Sequence, residues 1–407
     1  MSIRERAWRG VIVESLEGRR MLSGGGDDRE HERDFFTQTN LVSDTLPTKN
    51  PPDPNLKNAW GISNLPGSPF WVSSNGKGLA VLYDGTGAKT ALEVAIPGAG
   101  GNDAAPTGQV ANAGSGFVVA NDDKSKSGPA KFIFVGEDGG ISGWNPTVDG
   151  TRAILKADDS KDGAIYKGAT LATDKAGKTF LYVTDFHNGS VDVYDDTWAE
   201  QDLPAGAFTD RKIPKGFAPF NVQNVGGKLF VTFAKQDKDA EDDLAGPGNG
   251  FVDVFDTGGK LQMRLEHNRF MNSPWGVTQA PADWGQFSGD ILVGMFGSGR
   301  IAAFDARRGK FDGLLRNKDG TPVKIDGLWA LTFGNGAKNA DANTLYFTAG
   351  PNDESNGLFG SLTLHKRQGH DNDDDDDDHG GRGDDGDNHN DDHDDRRKND
   401  DDGDVWD

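Results

Sequence analysis

Residues 275–305 read WGVTQAPADWGQFSGDILVGMFGSGRIAAFD, three short apolar runs separated by turn chemistry. Trp275-Gly276-Val277 opens the unit. Ile291-Leu292-Val293 follows, and Ala303-Phe304-Asp305 ends on an aromatic and then an acid. Runs this short, bounded by Gly, Asn and Asp, read as buried strands rather than helices. An Asp just past the last apolar residue suits a hairpin turn, because its carboxylate accepts nearby backbone N–H groups.

The unit recurs along the chain. The opening element returns as Trp60-Gly61-Ile62, Thr107-Gly108-Gln109-Val110, Gly168-Ala169-Thr170-Leu171, Phe220-Asn221-Val222 and Trp329-Ala330-Leu331. Anchored at 60, 107, 168, 220, 275 and 329, the intervals are 47, 61, 52, 55 and 54 residues. Each is close to the length of a four-stranded propeller blade. The second element returns as Phe70-Trp71-Val72, Phe132-Ile133-Phe134-Val135, Phe180-Leu181-Tyr182-Val183, Leu229-Phe230-Val231 and Leu345-Tyr346-Phe347. The third returns as Leu82-Tyr83-Asp84, Gly143-Trp144-Asn145, Val193-Tyr194-Asp195 and Val254-Phe255-Asp256; the sixth copy, Leu358-Phe359-Gly360, lacks the acid. A weaker, alternating fourth run follows in most copies, as at Leu92-Glu93-Val94-Ala95-Ile96. Such alternation suits an outer strand facing water.

The predicted fold is therefore all-β, a six-bladed β-propeller. The last copy runs out of chain before a fourth strand, while FFTQTNLV at 35–42 has no blade of its own. That N-terminal strand is expected to close the ring and protect the edge strands. Residues 116–131 form an insertion in blade two, read as an extra strand and a surface excursion. The predicted organisation is a leader and disordered N-terminus over 1–34, the propeller over 35–366, and a disordered Asp/His-rich tail over 367–407.

Composition narrows the function. The chain has 407 residues with 57 Gly, no Cys and a net charge of −22. Disulfides, thiolate metal sites and a Cys nucleophile are excluded. Residues 370–407 hold 19 Asp against 4 Lys or Arg, so most of the charge lies in the tail, where too little apolar surface exists to fold. An acidic chain repels phosphate backbones, so nucleic acid is not an expected partner. No apolar run reaches the roughly 20 residues that span a bilayer, so no transmembrane segment is expected. A monomer is expected. No P-loop, dinucleotide fingerprint, Gly-x-Ser-x-Gly elbow or His-Glu-x-x-His occurs, so no nucleotide cofactor is expected.

In a propeller the second-to-third loops and the entries to the first strands share one face around the central channel. Here they carry oxygen ligands: Asn58, Asn75, Glu137 with Asp138, Asp185, Asn221, Asn272, and Asn352 with Asp353 and Glu354. Carboxylates and amides converging from several blades suit Ca²⁺, which takes six to eight oxygens. The expected metal set is Glu137, Asp185, Asn221 and Asn272. The expected ligand-binding set is Asn58, Asn75, Asp138, Asn352 and Asp353. The Asn and Asp residues among them are also good turn formers. His187, beside Asp185, and Asp237 are the candidate general bases. The long blade-four loop, KQDKDAEDDLAGPGNG at 235–250, is a candidate lid or binding loop.

Asn58-Ala59-Trp60-Gly61-Ile62, the run 139–146 (GGISGWNP), Ala234-Lys235-Gln236-Asp237, the run 246–256 (GPGNGFVDVFD) and the run 347–354 (FTAGPNDE) resemble an uncharacterised bacterial family of conserved hypothetical propeller proteins. The likeness covers about residues 38–365. It implies a repeat-built propeller similar to NHL-type domains and carries no activity. At the N-terminus, Leu16-Glu17, Arg19, Met21-Leu22 and Ser23 resemble the LEPR-type leader of bacterial surface proteins, with Gly18 in place of Pro. That resemblance implies an exported, extracellular or cell-surface protein. Two functions follow as expectations. One is a binding or interaction protein for a small molecule, glycan or protein, with a cation at the channel. The other is a Ca²⁺-dependent hydrolase or lyase similar to the six-bladed lactonases.

Overall fold

The computed structural model describes residues 33–366. The leader-like segment and the Asp/His-rich tail lie outside these described residues.

Six antiparallel sheets follow one another along the chain, each ordered outward from an innermost first strand. The innermost strands are Ala59–Ser63, Pro106–Ala111, Tyr166–Thr173, Phe217–Val225, Pro274–Gln279 and Leu328–Phe333. Each touches the next around the ring, and the sixth returns to the first. This is a six-bladed β-propeller, and all six opening elements of the sequence lie on its inner strands.

Ring closure uses the N-terminal strand. Phe35–Ser43 pairs antiparallel with Leu358–His365, from Phe35 opposite His365 to Ser43 opposite Leu358. Blade six is thus completed from the start of the chain. Blade three is the exception to four strands: it has only Tyr166–Thr173, Thr179–Asp185 and Ser190–Asp195. The insertion in blade two is a small hairpin, Val118–Ala120 against Ser127–Pro129.

The acid or amide ending each third element caps the following turn. Asp84, Asn145, Asp195 and Asp256 accept the N–H two residues on, at 2.8–3.0 Å, and Asp305 does the same at 3.0 Å. These are local bonds that relieve the turn of unsatisfied donors.

Every inner strand carries a register shift where it meets its second strand, between Ala59 and Ile62, Pro106 and Gln109, Tyr166 and Gly168, Pro219 and Asn221, Pro274 and Val277, and Leu328 and Leu331. A bulge lets a residue leave the pleat and point where the ladder would not send it. The residues released include Trp60, Lys167, Phe220, Trp275 and Trp329. Four of them are aromatic and fill the axis. Trp60 stacks on Trp329 with ring centroids 3.7 Å apart, and Phe296 stacks on the same ring at 3.9 Å. In most blades a small residue follows the released one, and there neighbouring blades meet. A Cβ on Gly61 would lie 2.5 Å from the carbonyl of Thr107, and one on Gly168 would lie 2.2 Å from Oδ1 of Asn221.

This geometry corrects the register read from sequence. The blade-three anchor belongs at Lys167, one residue before Gly168. Lys167 therefore occupies the axial position that holds an aromatic in four other blades.

Candidate binding site at the channel mouth

Lys167 is the centre of the mouth. Its side chain is only 2% exposed. Burying an ammonium is costly unless it is paired and hydrogen-bonded. Two carboxylates meet it: Glu137 Oε1 at 2.5 Å from blade two and Asp242 Oδ1 at 3.1 Å from the blade-four loop. The ammonium also lies over the Trp60 ring, 5.3 Å from its centroid, and 5.9 Å from that of Phe186. Desolvation pulls its pKa down, but the two carboxylates win and hold it above the ordinary lysine value.

From Glu137 a hydrogen-bonded belt continues around the rim. Asn75 Nδ2 donates to Glu137 Oε2 at 2.8 Å. Asn58 Nδ2 donates to Asn75 Oδ1 at 3.4 Å, and more closely to Glu354 Oε2 at 2.6 Å. Asn58 Oδ1 accepts the indole N–H of Trp329 at 3.0 Å, which ties the belt to the axial stack. Five blades contribute: six, one, two, three and four.

Backbone strain concentrates here. Asn352, Asp353 and Glu354 have φ of 56°, 48° and 61°, and Asn58 has 44°. The left-handed region costs a non-glycine residue roughly 1–2 kcal/mol. Three such residues in a row persist only because surrounding contacts fix them. The result aims Glu354 at Asn58.

Two acids at the mouth have no cation of their own. Burial pushes Glu354 up to about 7, with Glu137 and Asp242 repelling its charge and Lys167 too weak to offset them. Burial likewise raises Asp243 to about 6, and its Oδ2 has no hydrogen-bond partner. Lys167 is already shared between Glu137 and Asp242. The mouth thus holds four carboxylates against one ammonium.

The expected site residues divide. Asn58, Asn75 and Glu137 come together in the belt. Asp138 instead braces its own loop, accepting the N–H of Ala99 at 2.7 Å and of Gly140 at 3.3 Å. Asp185 caps a turn, taking the N–H of Ile165 and both donors of Asn188. Asn221 packs against Gly168 and donates to the carbonyl of Trp275 at 2.7 Å. Asn272 accepts the N–H of Gly246 at 2.6 Å. The set Glu137, Asp185, Asn221 and Asn272 is therefore spent on separate partners. Among the described residues, no group of three or more His, Cys, Asp or Glu is placed to hold a metal ion. Asp237 caps its own loop through the N–H groups of Asp239 and Glu241. His187 has a buried Nδ1 with no hydrogen-bond partner, and its ring packs beside Gly163. Asn352 is exposed, its N–H on Asp326 and its side chain on Asn356, and Asp353 is exposed beside it. Sequence reasoning missed Lys167, Asp242 and Asp243. Aligning the blades on the residue before the small anchor residue would have exposed Lys167.

No protein-family profile matches the chain. Among curated proteins, it is 31% identical over 317 residues to uncharacterized protein R648 of Acanthamoeba polyphaga mimivirus, covering 76% of each chain. It is also 31% identical over 320 residues to uncharacterized protein L690 of the same virus, covering 76% of this chain and 81% of that one. These relatives are viral, which overturns the expected membership of a bacterial family. Solved structures of similar shape include a Bacteroides thetaiotaomicron protein of unknown function, with TM-score 0.48, 11% identity, and coverage of 82% of this chain and 76% of that one. Streptogramin B lyase gives a TM-score of 0.44 at 12% identity, over 82% of this chain and 98% of its own.

Proposed function

Because the chain belongs to the family of these two mimivirus proteins, neither of them named for an activity, we propose its function from the mouth itself: it is a binding protein for a ligand that carries an ammonium group. The observation that supports this reading is the charge imbalance. Lys167 pairs directly with Glu137 and Asp242, while the half-buried Asp243 and Glu354 feel that same ammonium only at longer range and have no ion pair of their own. Opposite charge within a few ångströms favours the ionised carboxylate, so a second cation would reverse what burial does to both acids. The mouth takes an organic cation better than a metal ion, since its acids are spread along a belt and not gathered at one point.

Isothermal titration with the diamine putrescine at pH 8 tests this. Saturable binding is expected, weakened at least tenfold in Glu354→Gln and in Asp243→Asn. Wild-type heats indistinguishable from dilution, or wild-type affinity retained in both variants, would remove the reading.

A further inference from the structure

We propose that residues 236–249 form a lid over the channel mouth, that Asp242 is its latch on Lys167, and that positive charge delivered to Asp243 and Glu354 closes it. The lid rests on the ammonium-binding reading for the identity of that charge.

The segment runs between the blade-four strands Lys228–Lys235 and Gly250–Phe255. It is held at its base by isolated pairs, Gln236 with Asp243 and Asn249 with Asn272. Gln236 Nε2 also donates to the carbonyl of Phe186 at 2.6 Å. Its link to blade three's inner strand is a single ion pair, in which an Asp242 side chain 73% exposed grips an ammonium 2% exposed. An exposed partner is screened by water, so this latch is weak by itself. Near its end Gly248 has φ of 83°, and the N–H groups of Gly246 and Gly248 donate to Asn272 Oδ1 at 2.6 Å and to the Met271 carbonyl at 2.7 Å, which anchors this end of the segment. Leu244 rides on it, one of two strongly exposed large apolar side chains among the described residues.

Closing the lid brings two more carboxylates to an already acidic rim. Asp242 faces Lys167 from blade three and Glu354 from blade six, Asp243 faces the same lysine, and Glu137 from blade two shares that ammonium. Lys57 of blade one is turned away, to the carbonyl of Ser355 and to Asp44. On the lid itself Asp237, Asp239 and Glu241 add negative charge, and Lys238 pairs only with Asp239. With Asp243 and Glu354 both ionised, like charges push the lid outward. A proton on either acid removes that repulsion. A ligand ammonium beside either removes it too, and leaves Asp242 free to hold Lys167. Proton and ligand therefore compete for the same carboxylates yet close the same lid.

Hydrogen exchange of the peptide covering 236–249, expressed as protection factors, tests the proposal on the full chain. In the free protein, protection should fall at least threefold from pH 6 to pH 8. Putrescine at pH 8 should restore it. Asp242→Asn, a change at an exposed side chain, should stay poorly protected under all three conditions. The Asp243→Asn, Glu354→Gln double variant should stay protected at pH 8 without putrescine. Equal protection in all conditions and variants would overturn the lid. Putrescine binding with no added protection would overturn the lid and leave the binding reading standing. A pH response with no putrescine binding would overturn the ligand's part in closure, together with the binding reading.

Discussion

Oε1 of Glu137 lies 2.5 Å from Nζ of Lys167, an ion pair joining blades two and three at the axis of a ring otherwise plugged with tryptophan. Charge is thereby placed where four other blades place aromatic rings. The pair is buried on the lysine side, so its two members are not interchangeable with solvent.

Lys167→Met should therefore be strongly destabilising. Removing one partner leaves Glu137 partly buried without its cation, and such losses run to about 3–5 kcal/mol. Urea unfolding would show it as a lowered midpoint with unchanged slope. In the wild type, the folded pKa of Lys167 is raised. Its stabilisation is fully present below the unfolded lysine value near ~10.4. It is lost as pH rises through the folded value, so only strongly alkaline solution should weaken the wild type at this pair.

Asp243 and Glu354 give a trend in the neutral range. Both hold protons more tightly folded than unfolded, with folded values of about 6 and about 7. The stability they contribute is complete near ~4, at the unfolded carboxylate values, and is lost as pH rises through about 6 and 7. Asp192 and Asp290, both raised to about 6 mainly by burial, add to the wild-type slope. The difference between wild type and the Asp243→Asn, Glu354→Gln double variant isolates the mouth. Melting curves from pH 5 to pH 8 should show that variant gaining on the wild type, by on the order of 1–3 kcal/mol at the upper end.

Gly168→Ala tests the seam between blades. The added methyl would meet Oδ1 of Asn221 at 2.2 Å and its Cα at 2.7 Å. Backbone atoms cannot step aside as a flexible side chain can, so a loss of about 1–3 kcal/mol is expected. Gly177→Ala should cost less steric strain, because nothing lies within 4 Å of its Cβ position; its φ of 83° still adds backbone strain. Thermal unfolding of the two variants should rank Gly168→Ala as the less stable.

A chelator should leave the propeller's melting temperature unchanged. The four residues expected to bind Ca²⁺ already have protein partners. A ligand that binds the native state alone raises its melting temperature, so a fall on adding EDTA would reveal a metal that this structure does not account for.

The ring was readable because each blade repeats one short pattern. Trp60, Trp275 and Trp329 announce inner strands, and FFTQTNLV announces closure by having no blade. The mouth was half readable. Asn58, Asn75 and Glu137 fall in loops that a propeller must gather, so topology alone brings them together. Lys167 is hidden by a one-residue offset, since the repeat aligns on Gly168 and a lysine beside a tyrosine does not look axial. Asp242 and Asp243 were seen only as part of an acidic loop. Which of its acids turns inward depends on contacts made 75 residues away in sequence, at Lys167. Asp185 and Asn221 are the reverse case, bonded to protein partners in the fold. Their residue types suit a ligand and a turn equally, and local geometry decided for the fold.

Calorimetry of putrescine binding at pH 6.5, run in two buffers of different ionisation enthalpy, tests the central claim most directly. If the ligand's ammonium supplies the missing counter-charge of Asp243 and Glu354, binding must expel protons from both. The observed heat will then change with the buffer, and that dependence will vanish in the Asp243→Asn, Glu354→Gln variant. Identical wild-type heats in the two buffers would contradict it.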